Sequence, residues 1–280
     1  MHAEDQDRVI VVLVRARNPA NIGAVARAMH DLGYAHLRVV NEYPVPFAAA
    51  RSAVDASGVL EATIEVESVA EAVKDCTLVI GTTAVGERNL EHPLHALPES
   101  ARLIREALRN APDAKVALLF GSEKTGLSND ELSHCHALLT IPMNTRSQTR
   151  HLSMNLGQAA AVCLYTIAQD VLPSNSTEVH DAAAVGAKAG DLERMTHLLQ
   201  EILEEAGYSR RHPANAREAN VRRMVRRMGL TASDAAVWTG VLRQMLHHLH
   251  QISNAELNPP EQPEHQQANS AHEVDVAPDM

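Results

Sequence analysis

A chain of 280 residues is long for one small core and suits a core domain with an appendage. Hydrophobic residues make up 45% but aromatics only 2%, so any core must be built from Ala, Val, Leu, Ile and Met. The formal charge of −10 excludes a nucleic-acid binder only as an average, because six acids and no Lys or Arg fall between Ser253 and Met280, leaving −4 for the rest. Cys76, Cys135 and Cys163 are widely spaced with no Cys-x-x-Cys pair, which fits a reducing compartment without a disulfide framework. The acidic start "MHAEDQDR" does not read as a secretory signal, and no run approaches the roughly 20 apolar residues of a membrane span. The expectation is a soluble, cytoplasmic protein with no membrane contact.

In chain order, apolar runs bounded by turn residues predict strands at "VIVVLV", "HLRVV", "ATIEV", "CTLVIG", "KVALLFG" and "ALLTIP". Helical patterns lie between most of them, at residues 20–32, about 47–57, 68–75 and 99–110. This alternation predicts an α/β fold, a parallel sheet covered by helices on both faces. The polar loop "MNTRSQTRH" then leads into "SMNLGQAAAVCLYTIAQD", which carries no charge before Asp170. A helix apolar nearly all round is buried on more than one side, and a subunit interface explains the second side. The first domain is therefore placed at residues 1–172 and a linker at 173–188. A helical region follows at 189–252, and the Pro- and Gln-rich acidic tail from 253 to 280 is expected to be disordered.

The second region is strongly basic in one place. Val221, Met224, Val225 and Met228 recur at i, i+3, i+4 and i+7, which predicts an apolar stripe with Arg222, Arg223, Arg226 and Arg227 opposite. With Arg210, Arg211 and Arg217 upstream, seven arginines form a patch suited to phosphates. The alternative is an ordinary solvated face paired with acids from elsewhere.

Ligands of an open parallel sheet bind outside the carboxyl ends of its strands. The segments predicted there are "RARNPANIGAVARAM", "GTTAVGERN", "GSEKTGLSNDEL" and "IPMNTRSQTRHLSMN". None matches the dinucleotide fingerprint or the P-loop, so phosphate-cradling readings lose their best support. The Gly, Thr, Ser and Asn content suits a neutral or zwitterionic ligand held through backbone groups. "HCH" at His134–His136 has close spacing, but adjacent residues rarely face one metal, so a structural role is expected and no metal site.

Together these segments resemble the SpoU branch of the SPOUT class of RNA methyltransferases, closest to the bacterial TrmJ-like tRNA enzymes. The three motifs read "NPANIGAVARAM", "LLFGSEKTGLS" and "IPMN…LSMNLGQAAAV", in the right order across residues 8–170. The resemblance implies a C-terminal trefoil knot, S-adenosyl-L-methionine as methyl donor, a homodimer paired through the helix after the third motif, and 2′-O-methylation of tRNA nucleotide 32. It implies catalytic roles for Arg27, Asn21, Ser153 and Asn155. For the cofactor it implies Thr82, Thr83 and Ala84, then Gly121, Glu123 and Ile141, and finally Leu152, Ser153 and Met154. For Glu123 two further readings stand open, a catalytic role and that of an acceptor of backbone N–H groups that fixes a loop. Arg15, Arg210, Arg211, Arg217, Arg222, Arg223, Arg226 and Arg227 are expected to face RNA. Two features depart from the usual pattern: Ser-Met-Asn replaces Ser-Leu-Asn, and the loop from Ile141 to Ser153 is about four residues longer.

The helix after Pro19 should pack Ile22, Val25, Ala26, Met29 and Leu32 on the sheet and leave Arg27 pointing away. A guanidinium holds its proton too firmly to be a good base, so Arg27 is read as an electrostatic stabiliser and phosphate anchor, with the proton acceptor unassigned. The rival readings are methylation of rRNA or another RNA, and a non-catalytic RNA-binding module.

Overall fold

The run Val9–Val14 forms strand β1, and its alternation sets the architecture. Val9, Val11 and Leu13 enter one apolar cluster while Ile10, Val12 and Val14 enter another, so this strand is buried on both faces. A computed structural model describes residues 3–41, 49–50, 58–84, 91–143, 154–169 and 185–257, with side chains as far as Ile252. The other strands are β2 (His36–Val40), β3 (Ile64–Val66), β4 (Leu78–Thr82), β5 (Leu94–Ala96), β6 (Val116–Phe120) and β7 (Ala137–Thr140). They form one sheet in the order β3-β2-β1-β6-β4-β7-β5, with every pairing parallel. The six expected strands are present. The unexpected β5 is a three-residue edge strand, "LHA", with too little apolar periodicity to be read from sequence.

Helices cover both faces. Pro19–Asp31, Leu97–Asn110 and Leu156–Ala168 pack on one, and Val69–Val73 and Asn129–Ser133 on the other. Ile22, Val25, Ala26 and Met29 are buried as expected, with Leu32 partly so. The helix expected at about 47–57 falls almost wholly outside the described residues. Pro19–Asp31 crosses Leu156–Ala168 closely, since a Cβ on Gly157 would come within 2.6 Å of Ala24 Cβ. Arg105, 3% exposed, donates to the Thr166 and Ile167 carbonyls at the end of the second of these helices. A buried cation is tolerated there because it meets unpaired carbonyls at the negative end of a helix.

The helix Leu156–Ala168 buries one face in its own subunit, through Leu156, Gly157, Ala160, Cys163, Leu164 and Ile167. Val162 and Tyr165 lie exposed on the opposite face, at 37% and 56%.

Helices Ala189–Glu205, Tyr208–Arg211, Glu218–Arg227 and Ala232–Leu257 surround a third cluster containing Leu192, Met195, Ile202, Val225, Leu242 and Leu246. Two expected boundaries shift. The Ala187 N–H donates to the Leu230 carbonyl at 2.9 Å, so the end of the expected linker is tied down, and the last helix runs on to Leu257. The stretches 170–184 and 258–280 lie outside the described residues. Backbone bonds from Ala189 to the Cys76 carbonyl and from Gly190 to the Lys74 carbonyl attach this region to the sheet domain.

The apolar stripe expected on Glu218–Arg227 is corrected. Val221 and Val225 are buried, but Met224 and Met228 are exposed, and Arg222 and Arg226 are buried in their place. Arg222 donates to Glu193 at 3.0 Å, Ser133 at 3.0 Å and Asp130 at 3.4 Å, and Arg226 donates to Glu193 at 3.2 Å. Helical periodicity fixes which residues share a face. It does not reveal that an acidic residue on another helix waits opposite the basic one.

His134 lies in this junction, 5% exposed, with its Nδ1 3.7 Å from Glu193. Burial, reinforced by the Arg222 charge, pushes its imidazole down to about 4, so it is neutral at pH 7 and the contact is no ion pair. The unfolded chain takes up that proton near pH 6.5, where the folded state still refuses it. Stability should hold above about pH 6.5 and then fall as the pH drops toward 4, by up to about 1.4 kcal/mol per pH unit from this group. Urea titrations at pH 7.5, 6 and 5 measure the slope. His134→Gln should make it shallower, with His136, whose imidazole is also pushed down by burial, still contributing, and an unchanged slope would remove His134 as a source.

Candidate active site

The loops that carry the three motifs follow β1, β6 and β7, and the "GTTA" loop follows β4. These strands are far apart in sequence but consecutive in the sheet, in the order β1-β6-β4-β7. All pairings are parallel, so the four carboxyl ends lie along one edge.

The turn after β1 begins with Arg15, whose φ of 55° makes it the one non-glycine residue in the left-handed region among those described. Such a conformation costs a bulky residue roughly 1–3 kcal/mol and persists only where its surroundings impose it. Arg15 Nε and Nη2 grip both oxygens of Glu131 at 2.5 and 2.9 Å, and Nη2 reaches the Gly126 carbonyl at 3.3 Å. Its backbone N–H donates to Val40 at 2.9 Å. Next, the Asn18 side chain caps the helix by accepting from the Ala20 N–H at 3.0 Å, and Pro19 has no N–H to offer.

Two more amides of the turn are occupied. Arg17 and Asn18 donate their backbone N–H groups to the Glu123 carboxylate at 3.2 and 3.3 Å. Asn21 Nδ2 donates to the same carboxylate at 3.0 Å, and Asn155 Nδ2 donates to Asn21 Oδ1 at 2.9 Å. Asn155 Oδ1 in turn accepts from the Gly157 and Gln158 amides and caps the following helix. Burial alone would raise the Glu123 carboxyl. Bonds from Asn21, from its own backbone, and from Arg17 and Asn18 outweigh that and hold it below the usual range. The turn that in other sheets cradles a phosphate here holds the protein's own carboxylate. Of the readings of Glu123, the loop-fixing one matches these contacts.

Glu123 belongs to a tight loop. A Cβ on Gly121 would stand 2.2 Å from the Gly126 carbonyl carbon, so only glycine permits that return. The Thr82 hydroxyl donates to the Leu119 carbonyl, the Thr83 amide to the Leu139 carbonyl, and the Thr83 hydroxyl to the Ala84 carbonyl. Ile141 packs partly buried against the core, Met154 is half-buried and Asn155 is exposed. Leu152 and Ser153 lie outside the described residues. Arg27 is exposed on the side of its helix away from the sheet, one turn beyond Ala24.

The arginines expected to face RNA divide into two groups. Arg210, Arg211, Arg217 and Arg227 are exposed. Arg15, Arg222 and Arg226 are corrected: Glu131 holds the first, and Glu193 with its neighbours buries the other two. Arg223 is half-buried against Glu91 and Asn220. Sequence reasoning missed Glu131, although the Ser128-x-x-Glu131 spacing is that of a capping box, which the structure forms. Glu193, His197 and Glu218 bring one ligand atom each within 4.8 Å of one another. The Arg222 guanidinium bonds to both Glu193 and Glu218, so a fixed positive charge already stands where a cation would bind.

The family profile described as SpoU rRNA Methylase matches residues 8–165. A Sodalis glossinidius protein named tRNA (cytidine/uridine-2'-O-)-methyltransferase TrmJ is 32% identical over 240 residues, 85% of this chain and 91% of its own length. The protein of that name from Pectobacterium atrosepticum is 34% identical over 244 residues, 86% of this chain and 95% of its own. Among solved structures, TrmJ from Z. mobilis superposes with a TM-score of 0.68 at 27% identity, covering 84% of this chain and 98% of that one. With its three motifs joined in one hydrogen-bonded site and its sequence matched over most of its length, the chain belongs to the SpoU methylase family and is a methyltransferase.

Proposed function

We propose that the protein transfers a methyl group from S-adenosyl-L-methionine to a ribose 2′-hydroxyl of tRNA, at nucleotide 32 of the anticodon loop. The observation that carries this reading is the Glu123–Asn21–Asn155 chain of hydrogen bonds, which joins the three motifs at one end of the sheet. The named relatives support tRNA over rRNA. Their matches of 240 residues or more must extend beyond the 8–165 span of the family profile, into the Arg-rich helices.

The residues present suit the cofactor. With Glu123 filling the turn and Asn18 capping the helix, no free amide cluster there invites a polyphosphate, while the strand-end loops offer peptide groups and the apolar Ile141. Thr82, Thr83, Ala84, Gly121, Ile141, Leu152 and Met154 would hold S-adenosyl-L-methionine, which supplies an electrophilic methyl on a sulfonium. Displacement at that carbon demands alignment more than acid catalysis. Asn21 and Asn155 fix the ends of the first and third motifs, and the third motif assigns Ser153 to the same reaction. Arg27 offsets the charge growing on the hydroxyl as its proton departs. Arg210, Arg211, Arg217 and Arg227 would hold RNA phosphates. We also infer a trefoil knot through the third motif, a homodimer formed by the exposed side of Leu156–Ala168, and a cytoplasmic location where tRNA is found.

Calorimetry should show S-adenosylmethionine or its demethylated product binding, and neither NAD nor ATP. NAD binding with silence toward both methionine derivatives would overturn the cofactor. Nucleotide-resolved mapping of 2′-O-methyl groups in tRNA from a deletion strain should show loss at position 32, and loss elsewhere would move the target. Arg27→Ala should abolish methylation with cofactor affinity intact. Alanine at Arg210, Arg211, Arg217 and Arg227 together should weaken tRNA binding and flatten its salt dependence, by roughly 0.7–0.9 log unit for each phosphate that is no longer neutralised. Unchanged affinity and salt slope would place the RNA elsewhere.

For the dimer, Tyr165→Glu should shift sedimentation toward a monomer without unfolding the chain. Ala160 cannot serve as that probe, because it is fully buried in its own subunit. A fully active monomeric wild type would refute the interface.

A further inference from the structure

Arg15, like Arg222 and Arg226, takes a place in the structure that its sequence context does not suggest. It lies three residues before the first motif, yet its guanidinium turns inward to Glu131, and both side chains are largely buried, at 18% and 12% exposed. Glu131 is itself fixed: it accepts from the Ser128 N–H at 2.6 Å while its own N–H donates to the Ser128 hydroxyl. Burial would raise its carboxyl, and Arg15 with the Ser128 amide more than offsets this. The third contact of Arg15, to the Gly126 carbonyl, lies in the tight loop that carries Glu123. One side chain thus spans the first-motif turn, the second-motif loop and the Asn129–Ser133 helix.

The backbone of Arg15 matters as much as its charge. At φ 55° the chain reverses so that the amides two and three residues on meet the Glu123 carboxylate. An arginine resists that conformation, and the bidentate pair supplies the constraint that overcomes the resistance. We propose that Arg15 and Glu131 are positioning residues for methyl transfer: the pair holds residue 15 left-handed and so places Arg17, Asn18 and Asn21 on Glu123. Arg15 then acts through the turn rather than on RNA. This rests on the methyl-transfer reading above.

The backbone role gives a test that charge alone cannot mimic. In an Arg15→Ala/Glu131→Gln variant the pair is lost and alanine still resists φ 55°. In Arg15→Gly/Glu131→Gln the pair is equally lost, but glycine adopts that conformation freely, and glutamine leaves no orphaned charge. With the full-length chain at saturating tRNA and cofactor, the alanine variant should lose turnover by about 10–100-fold, the scale expected of a misplaced site. The glycine variant should recover about tenfold of that loss. The dissociation constant for tRNA and its salt slope should match wild type in both.

Hydrogen exchange over residues 16–22, measured without tRNA or cofactor, should quicken in the alanine variant and stay near wild type in the glycine variant. Equal losses in both variants, with weaker and less salt-dependent tRNA binding, would make Arg15 a phosphate contact and overturn the proposal. Wild-type turnover and exchange in the alanine variant would also overturn it. A wild-type protein that methylates no tRNA would refute the reaction, while the exchange measurement still decides the role of the pair.

Discussion

The site depends on one interaction, the Glu123 carboxylate held in the turn after β1. A strand-to-helix turn in a parallel sheet gathers amides with no partner inside the helix, and those amides need an acceptor. Glycine-rich versions leave them bare for a ligand's phosphate. Here Arg17, Asn18 and Asn21 donate to a carboxylate supplied by a loop on the neighbouring strand, so the turn is complete before any ligand arrives. That substitution closes the anion site and, through Asn21, extends the same network to Asn155 on the third motif. It also accounts for the need for Gly121, since the loop bearing Glu123 must double back within contact distance of itself.

Charge is divided along the same lines. Three of the cations that the fold uses have a carboxylate opposite: Arg15 with Glu131, and Arg222 and Arg226 with Glu193. Burial would raise the Glu193 carboxyl, but the Arg222 and Arg226 guanidinium groups hold it low instead. Removing one partner of such a group strands a buried charge, which costs about 3–5 kcal/mol. Arg210, Arg211, Arg217 and Arg227, by contrast, remain exposed around the same helices. The arginine cluster therefore divides into an inner pair, of which Arg222 docks the helical region on the sheet domain and Arg226 ties its helix to Glu193, and an outer set open to solvent.

Much of the fold was legible in the sequence because β-branched runs and turn residues report directly on local structure. "VIVVLV" gave β1 to the residue, and the face of Pro19–Asp31 followed from its period. What failed was non-local. β5 owes its existence to β7 beside it, not to its own three residues. Met224 and Met228 have the right spacing for a core, but the docking partner of their helix is polar and selects Arg222 and Arg226 instead. The motifs named Asn21 and Asn155 as catalytic and Glu123 as a cofactor residue, and it is the structure that joins the three by hydrogen bonds. That Glu123 faces backbone amides was one of the open readings until the contacts were seen.

The sheet order explains why so little of the site is local. β1 and β6 are about a hundred residues apart, yet Val9 pairs with Val116, and β4 and β7 follow on the same side. A chain that inserts its sixth strand beside its first brings the first and second motifs together through the register of one strand pair. The third motif joins the same network, where Asn155 caps its own helix and bonds to Asn21 with the same side chain. Each of these residues stabilises a local element and at the same time fixes a loop of the site. The contacts that complete the sheet ends are therefore the contacts that assemble the site, and Arg15 adopts its strained conformation at the point where the two meet.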